Sequence, residues 1–329
     1  MIQYKAAKRP VMVFALLLSA ATASAQPSTP SKQQATLPTE NVTVSATKSR
    51  QVIRDFASSF AAHTQTIGKI ARWESGICPI TVGMPPDANK FVTERLKEVA
   101  AKVGAPISAD KLCKHNIEIV FTKTPQALLD NVKKTQENFL GYHDSPEQRD
   151  RLATVTHAIQ AWYTTATQDI NGVIQVDAST AASPGRGLLM QLPCVMFGIP
   201  APETRICTEY QPYARKYNSS GFRLRDGLKS GFYNIIIVAD TPKVGNQQLD
   251  AVSDYIAMLA LTQPMSLDAC PTLSSIMSLF AKDCDGYAGG LTDVDTSYLE
   301  GAYKMDPEMN VGVQESQIAN QMVQALPQK

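Results

Sequence analysis

Apolar and polar positions follow their most regular pattern in the C-terminal third of the chain. Phe232–Ala239 is rich in β-branched and aromatic side chains, which predicts a strand buried on both faces. From Gln247 to Leu261 the apolar residues recur at steps of three and four, which predicts a helix with one stripe in a core. Pro264 follows the end of that helix and would prevent its continuation.

A turn and a last helix are predicted beyond this point. The tight turn lies around Ser275–Met277. Thr292 and Asp295 then have the spacing of a capping box, in which each side chain accepts a hydrogen bond from the other residue's backbone. We therefore expect a final helix to begin near Asp293.

The patterns upstream predict three helices and three strands. The helices run from Val52 to Ala61, from Pro86 to Val103 and from Pro125 to about Phe139, and the strands are Ile117–Phe121, Val155–Tyr163 and Ile170–Ala178. A strand, a crossing helix and then several strands before the Gln247 helix is an α+β order. We expect residues 50–329 to form one globular α+β domain with a mixed sheet, packed helices and disulfides.

The order of the C-terminal elements resembles that of metzincin metalloproteases. In that family an active-site helix carrying H-E-x-x-H-x-x-G-x-x-H precedes a Met-turn and a last helix. Here the Gln247 helix is followed by the Ser275–Met277 turn, by Leu291-Thr-x-x-Asp295 and by Tyr298-Leu-x-x-x-Tyr303. The resemblance implies a single metzincin-like domain.

The residues that carry the chemistry of that family are replaced in this chain. Laid on the family motif, Ser253 and Ala257 stand where two zinc-binding histidines would be. Gln263 or Pro264 stands near the third, and Asp254 corresponds to the family's glutamate. The resemblance thus implies a degenerate domain, a pseudoenzyme without a cofactor. Zinc peptidase activity is not expected, because neither a methyl group nor a neutral hydroxyl replaces an imidazole ligand.

The N-terminal residues have the features of an export signal. Lys5, Lys8 and Arg9 precede an apolar core, and Ala23-Ser-Ala25 is a small-residue cleavage site, so residues 1–25 are predicted to be a signal peptide. The apolar core, about eleven residues, is too short to span a bilayer. Residues 26–49 are rich in Pro, Ser, Thr and Gln and are predicted to be a flexible linker. We expect a periplasmic or secreted protein that begins at Gln26.

Charge argues against one class of partner. The chain has 31 Lys and Arg against 30 Asp and Glu, and removal of the three N-terminal bases leaves 28 against 30. A nearly neutral protein has no electrostatic reason to bind nucleic acid.

The chain also resembles uncharacterised exported proteins of Gram-negative bacteria, through Ala71-Arg-Trp73, Ile77-Cys-Pro79 and Asp254–Leu259. That resemblance implies an envelope or extracellular partner and no known activity.

Six cysteines follow the cleavage site, and an even number in an exported protein predicts disulfides. Pairing the nearest neighbours in sequence predicts Cys78–Cys113, Cys194–Cys207 and Cys270–Cys284. In the chain-entropy model each loop closed in this way stabilises the fold by on the order of 3 kcal/mol. A structural zinc site is the competing use, although the chain has no C-x-x-C pair.

Candidate metal ligands are few. Asp250 and Asp254 share one face of the Gln247 helix and Asp240 ends the preceding strand, so the three carboxylates could hold a hard cation such as calcium. A solvated helix face is the alternative. No two of the four histidines stand four residues apart, which leaves no local zinc motif: His63, His115, His143 and His157.

Two further stretches are polar. Ser183–Gly187 and Asn218–Gly221 are turn formers, and neither is a G-x-S-x-G nucleophile elbow. Between Tyr210 and Lys229 basic and aromatic residues alternate, which predicts a polar β-hairpin and allows an anion or partner site. The bases are Arg215, Lys216, Arg223, Arg225 and Lys229, and the aromatic residues are Tyr217 and Phe222.

Three functions are compatible with these features. The first is an exported, non-catalytic protein with a binding or envelope role. The second is a hydrolase whose site is assembled from distant residues, such as His115 or His157 with Asp254. The third is an interaction module, which should expose an apolar patch larger than a few hundred Å².

Overall fold

The computed structural model describes residues 46–177, 217–282, 284 and 287–326. The strands are β1 (Pro79–Val82), β2 (Ile117–Thr122), β3 (Ile159–Gln168), β4 (Ile174–Val176) and β5 (Lys229–Asp240). The helices are α1 (Ala46–Phe60), α2 (Pro86–Val103), α3 (Pro125–Thr135), α4 (Pro146–Leu152), α5 (Thr241–Val244), α6 (Leu249–Leu261), α7 (Asp293–Lys304) and α8 (Val311–Ala325). Turns of 3₁₀ helix lie at Glu137–Leu140 and Ile276–Leu279.

The five strands form one mixed sheet in the order β1-β2-β5-β3-β4. β1, β2 and β5 are parallel, while β3 runs antiparallel to β5 and β4 antiparallel to β3. β4 pairs only with Ala166–Gln168. Among the described residues, the earlier part of β3 therefore has a strand neighbour on one side only. The predicted α+β class with a mixed sheet and packed helices is confirmed.

β5 is the central strand and separates two cores. Ile235 and Ile237 point into the larger core, which contains residues of α1, α2, α6, α7 and α8. Ile236 and Val238 point into the smaller one, under α3 and the Glu137–Leu140 turn. The alternation follows from the two-residue period of a strand. It confirms the prediction of a strand buried on both faces.

Two helix termini have the predicted caps. Pro86 opens α2, and Gly104 ends it with a φ of 82°, a conformation that glycine adopts without strain. Thr292 and Asp295 form the predicted capping box of α7. Gly301 in α7 has a different role, because a Cβ there would lie 3.0 Å from the Cα of Ile318 in α8. The missing side chain allows the two helices to approach closely.

Several predicted boundaries were wrong. α1 begins at Ala46, inside the predicted linker, because no helix breaker occurs between Ala46 and Arg50. β3 begins at Ile159 rather than Val155 and runs on to Gln168, so that β4 is only three residues long. The cause is a tight turn closed by the Asp169 carboxylate, which accepts hydrogen bonds from the backbone of Asn171 and Val173.

The polar β-hairpin predicted between Tyr210 and Lys229 is also wrong in its described part. Residues 217–228 form a loop without a strand, and Lys229 is the first residue of β5. Gly221 and Gly227 have φ values of 74° and 78°, which interrupt an extended conformation. The basic and aromatic residues of this loop therefore do not share the face of a hairpin.

Two of the three predicted disulfides are confirmed, Cys78–Cys113 and Cys270–Cys284. Cys194–Cys207 lies outside the described residues. The two confirmed bonds are compatible with an oxidising compartment. Within the part of the chain that the structure describes, no helix has the length and apolar character needed to cross a membrane.

One buried acid lies in the sheet. Glu118 of β2 is aligned with Ile236, which places its side chain on the face of the smaller core. Its Oε2 atom is buried and has no hydrogen-bond partner among the described residues. Burial raises the pKa of Glu118 to about 7, although the positive charge of Lys114 acts to lower it.

We expect Glu118 to make stability depend on pH. Because its folded-state pKa lies above the ordinary 4.5, its contribution is complete below about pH 4.5 and is lost as pH rises through 7. Glu118→Gln should raise the free energy of unfolding by roughly 2–3 kcal/mol at about pH 8 and leave it unchanged near pH 4. Urea unfolding across this range measures the difference. The control is Glu94→Gln, at an exposed site; equal pH profiles for wild type and Glu118→Gln would contradict the expectation.

Candidate functional site

Helix α6 lies in the interior of the protein. Its residues from Ala251 to Leu261 are all buried, eight of them with no solvent-exposed surface. The last carbonyls of a helix have no partner within it, and in the interior they need other donors. Here the Tyr163 hydroxyl donates to the Leu259 carbonyl (2.9 Å) and the Trp73 Nε1 to the Ala260 carbonyl (2.7 Å).

The next carbonyl of α6 is satisfied in the same way. The Tyr303 hydroxyl of α7 donates to the Leu261 carbonyl at 3.0 Å. Burial raises the pKa of Tyr303 and of Tyr163, so both hydroxyls keep their protons. Three aromatic side chains from different parts of the chain thus hold the C-terminal end of α6.

The positions that the metzincin motif gives to zinc ligands are closed. Ser253 and Ala257 are both fully buried. The Ser253 hydroxyl donates to the Leu249 carbonyl one turn earlier, at 2.6 Å. Gln263 lies beyond the end of α6, and its backbone oxygen accepts from the Ala62 N–H. Pro264 forms an isolated antiparallel bridge with Ala61, the neighbour of Ala62 in the chain.

Asp254, which aligns with the glutamate of the metzincin motif, connects separate parts of the structure by hydrogen bonds. The Arg95 Nε of α2 donates to its Oδ1 at 2.6 Å, and the Leu291 N–H donates to its Oδ2 at 2.9 Å. The hydrogen bond with Asp254 raises the pKa of the Arg95 guanidinium. A Cβ at Gly290 would lie 3.1 Å from Asp254 Oδ2, so glycine allows the loop to approach the carboxylate. Asp254 therefore joins α6 to α2 and to the segment before α7.

The predicted turn around Met277 packs beneath α6. Met277 is buried in the same core as α6. Asp295, besides capping α7, accepts hydrogen bonds from the Ser275 hydroxyl (2.5 Å) and the Ile276 N–H (2.8 Å). One buried carboxylate thus fixes both the turn and the start of α7. This helix begins at Asp293 as predicted, but it is not the final one, because α8 follows it.

The three carboxylates proposed for a hard cation are not brought together. Asp254 is paired with Arg95, and Asp240 is paired with Lys243 of the short helix α5 at 3.2 Å. Among the described residues, no three His, Cys, Asp or Glu side chains converge on a point that could hold a metal ion. The alternative, a solvated helix face, does not fit Asp240 or Asp254 either, because both are buried and ion-paired.

The histidines proposed for a distant hydrolase site have other neighbours. His115 Nδ1 lies 3.4 Å from the Sγ of Cys78, and burial lowers the pKa of His115. His157 pairs with Asp268 through Nε2 at 3.2 Å, and its Nδ1 lies 2.7 Å from the Thr156 hydroxyl. In the described part of the chain, neither imidazole lies within hydrogen-bond distance of Asp254.

The polar stretches also have structural roles where they are described. Ser220 donates to the Arg225 carbonyl, and Asn218 binds the carboxylate of Asp169. Arg225 and Lys229 form ion pairs with Glu308. Ser183–Gly187, Arg215 and Lys216 lie outside the described residues.

A pocket of about 320 Å³ opens at the C-terminal end of α6. Side chains of β3, of the segment after α1 and of the segment after α6 line it, among them Ala161, Tyr163, His63, Gln263 and Leu267. Two histidines reach the pocket, and each is paired with an acid. His63 contacts Glu315 at 2.9 Å, as His157 contacts Asp268. The pocket lining therefore mixes apolar side chains, such as Ala161 and Leu267, with polar ones, such as Gln160 and Gln263.

The open edge of β3 runs along this pocket. The Asp240 N–H donates to the Ala158 carbonyl, which makes that residue pair a hydrogen-bonded one. In an antiparallel ladder the hydrogen-bonded pairs alternate with unbonded ones. Ala161 and Tyr163 fall in unbonded pairs with β5, so they direct their N–H and C=O groups away from it. These backbone groups face the side on which β3, within the described residues, has no strand neighbour before Ala166. Gly141 approaches this edge at Tyr163, since a Cβ there would lie 2.8 Å from the Tyr163 carbonyl oxygen.

The sequence analysis assigned no role to this edge of β3, because the short length of β4 could not be predicted from the residue pattern.

Comparisons of the chain with family models, with curated proteins and with solved structures found no match.

We expect Asp254 to contribute to stability, because its buried carboxylate is the acceptor for two elements. Asp254→Asn should lower the free energy of unfolding by about 1–3 kcal/mol, since a neutral amide replaces the charged acceptor of Arg95. Chemical denaturation measures the change. Glu98→Gln removes the second, exposed acid near Arg95 and should cost less than about 0.5 kcal/mol. Equal losses for the two variants would show that the buried pair has no special role.

Proposed function

We propose that this protein is an exported, non-catalytic binding protein with a metzincin-like arrangement, and that it binds an extended polypeptide segment along the open edge of β3. One side chain of the bound segment would enter the pocket at the end of α6. The single observation that carries the proposal is that, among the described residues, β3 has no strand neighbour before Ala166 on the side away from β5, where a pocket also opens.

The order of the elements supports the metzincin-like part of the proposal. A mixed sheet precedes the helix α6, a buried methionine turn follows it, and the capped helix α7 comes next, ahead of the further helix α8. Met277 packs in the same core as α6, as the resemblance implies. Asp295, which belongs to the sequence pattern that carries the resemblance, connects the turn to α7.

The burial of α6 supports the non-catalytic part. A catalytic metal needs protein ligands and an open position for water or substrate. Ser253 and Ala257 offer neither, since both are fully enclosed. Asp254 is also occupied, by Arg95 and the Leu291 N–H. These contacts hold the structure together and leave no free acid on α6 at that position.

The open edge supports a polypeptide ligand. A strand edge presents donors and acceptors at the spacing of another strand, so main-chain hydrogen bonds supply affinity and a pocket supplies selectivity. Each such hydrogen bond contributes about 0.5–1.5 kcal/mol net, and burial of one large apolar side chain about 1.5–3 kcal/mol. After the entropy of association is subtracted, a dissociation constant on the order of 10 μM is expected.

Strand addition can be recognised by N-methylation. Peptides selected from a random library against the mature protein should lose binding when alternate amides are N-methylated and keep it when the intervening amides are, because only alternate N–H groups face β3. Leu267→Trp fills the pocket and should weaken binding at least about tenfold. Met265→Trp, which adds the same ring on the exposed side of the same segment, should not. Insensitivity to N-methylation would contradict the proposal.

We also expect the protein not to be a zinc peptidase. Protein purified without chelator should contain far less than one zinc per chain and should show no chelator-sensitive cleavage in a broad peptide screen. Elemental analysis and the screen measure both properties. Stoichiometric zinc with a cleavage activity that Asp254→Asn abolishes would overturn the proposal.

A further inference from the structure

The segment that follows α6 forms one wall of the pocket. Gln263 and Leu267 of this segment line the pocket. Asp268 comes next and pairs with His157, which lines the pocket from the side of β3. We name residues 263–270 the wall segment. The shape of the pocket depends on the position of the wall segment.

The start of the wall segment is held by the main chain. The Ala62 N–H donates to the Gln263 carbonyl at 2.8 Å, and the Met265 N–H donates to the Phe60 carbonyl at 2.7 Å. Phe60 is the last residue of α1. Backbone hydrogen bonds therefore fix this end of the wall segment to the end of α1.

The other end of the wall segment is attached covalently. The N–H groups of Asp268 and Ala269 both donate to the Ser266 hydroxyl at 3.2 Å, which binds the segment only to itself. Its last residue, Cys270, forms a disulfide with Cys284, on the far side of the Ile276–Leu279 turn. This bond ties the wall segment to the chain just before α7.

The non-covalent contacts at this end are weaker restraints. Leu267 packs against the larger core but is only half-buried. The side chain of Asp268 is 67 % exposed, and ion pairs with an acid this exposed contribute little to stability. The disulfide is therefore the strongest anchor of this end of the wall segment.

The two described disulfides differ in their exposure to solvent. Cys270 is exposed and Cys284 is half-buried, whereas Cys113 is half-buried and Cys78 is 4 % exposed. Cys78 is also held by Asn116 through two hydrogen bonds, at 2.7 and 3.2 Å. Reduction begins when a thiolate attacks a disulfide sulfur, so exposed disulfides are the more easily reduced ones. A reductant therefore reaches Cys270 first.

We propose that the Cys270–Cys284 disulfide is a redox switch for the peptide site. The oxidised protein binds its polypeptide ligand, and reduction by an external dithiol releases it. This inference rests on the proposed function, because it concerns the regulation of the same pocket. Without the disulfide the wall segment keeps its place at Met265 and loses its anchor at Cys270. Binding would then have to order the wall segment again, which lowers affinity.

The reaction is a thiol–disulfide exchange. A thiolate of the dithiol bonds to the Cys270 sulfur, the Cys270–Cys284 bond breaks, and Cys284 leaves as a thiolate that takes up a proton. The second thiol of the reductant, as a thiolate, then attacks its own sulfur in the mixed disulfide and releases Cys270. The protein disulfide gains two electrons and two protons, and the dithiol is oxidised to a disulfide.

The first measurement is independent of any peptide. The mature protein is equilibrated with graded dithiothreitol, its free thiols are alkylated, and the labelled cysteines are mapped by mass spectrometry. Cys270 and Cys284 should be labelled at a dithiothreitol concentration at least about tenfold below that needed for Cys78 and Cys113. Amide hydrogen exchange in residues 266–270 should become faster when the Cys270–Cys284 bond is reduced, while α6 remains protected.

The second measurement uses the peptides selected against the mature protein. At the dithiothreitol concentration that reduces only the Cys270–Cys284 bond, peptide affinity should fall at least about tenfold, and reoxidation should restore it. Cys270→Ala combined with Cys284→Ala should bind weakly with or without reductant. The control, Cys78→Ala with Cys113→Ala, should keep the redox response of the wild type.

Two outcomes would overturn the switch while peptide binding stands. One is unchanged affinity after the Cys270–Cys284 bond is reduced. The other is labelling of Cys78 and Cys113 before or together with this pair. If no peptide binds even the oxidised protein, the proposed function fails and the switch fails with it. The labelling order distinguishes these failures, since it measures the ease of reduction without a ligand.

Discussion

The complete burial of α6 is the constraint on which the other contacts depend. A helix in the interior leaves its last carbonyls without partners, and each would cost about 1–3 kcal/mol if it remained unpaired. Tyr163, Trp73 and Tyr303 supply the missing donors. They come from β3, from the segment before β1 and from α7. Satisfying one helix terminus therefore fixes the positions of three distant parts of the chain.

Two buried carboxylates extend the same logic away from that terminus. Asp254 joins α6 to α2 and to the loop before α7, and Asp295 joins the Met277 turn to the start of α7. Each accepts hydrogen bonds from two elements, which compensates for the loss of hydration. A carboxylate bound in this way is unsuited to acid–base chemistry, because its lone pairs are occupied. Both carboxylates therefore serve to hold neighbouring elements together.

The sequence allowed prediction of those features that depend on local chemistry. β5, α6, the cap of α7 and two disulfides follow from periodicity, cap residues and cysteine spacing. β1 and α8 were missed, since neither four residues of strand nor a Gln-rich helix gives a clear apolar period. The pocket and the open edge of β3 could not be predicted, because both depend on how far β4 extends. The start of β4 is set by the side-chain contacts of Asp169, which a residue pattern does not reveal.

The placement of the pocket has a physical consequence for its ligand. The C-terminal end of a helix carries partial negative charge, which would attract a cation if it were free. At α6 the three aromatic donors occupy those carbonyls, and the pocket histidines His63 and His157 are each paired with an acid. The two histidines and the three carbonyls of α6 thus have hydrogen-bond partners before any ligand arrives. A charged group that entered the pocket would lose its hydration, whereas a neutral backbone with an apolar side chain loses little. This arrangement fits the proposed ligand, an extended main chain along β3, better than it fits a free ion.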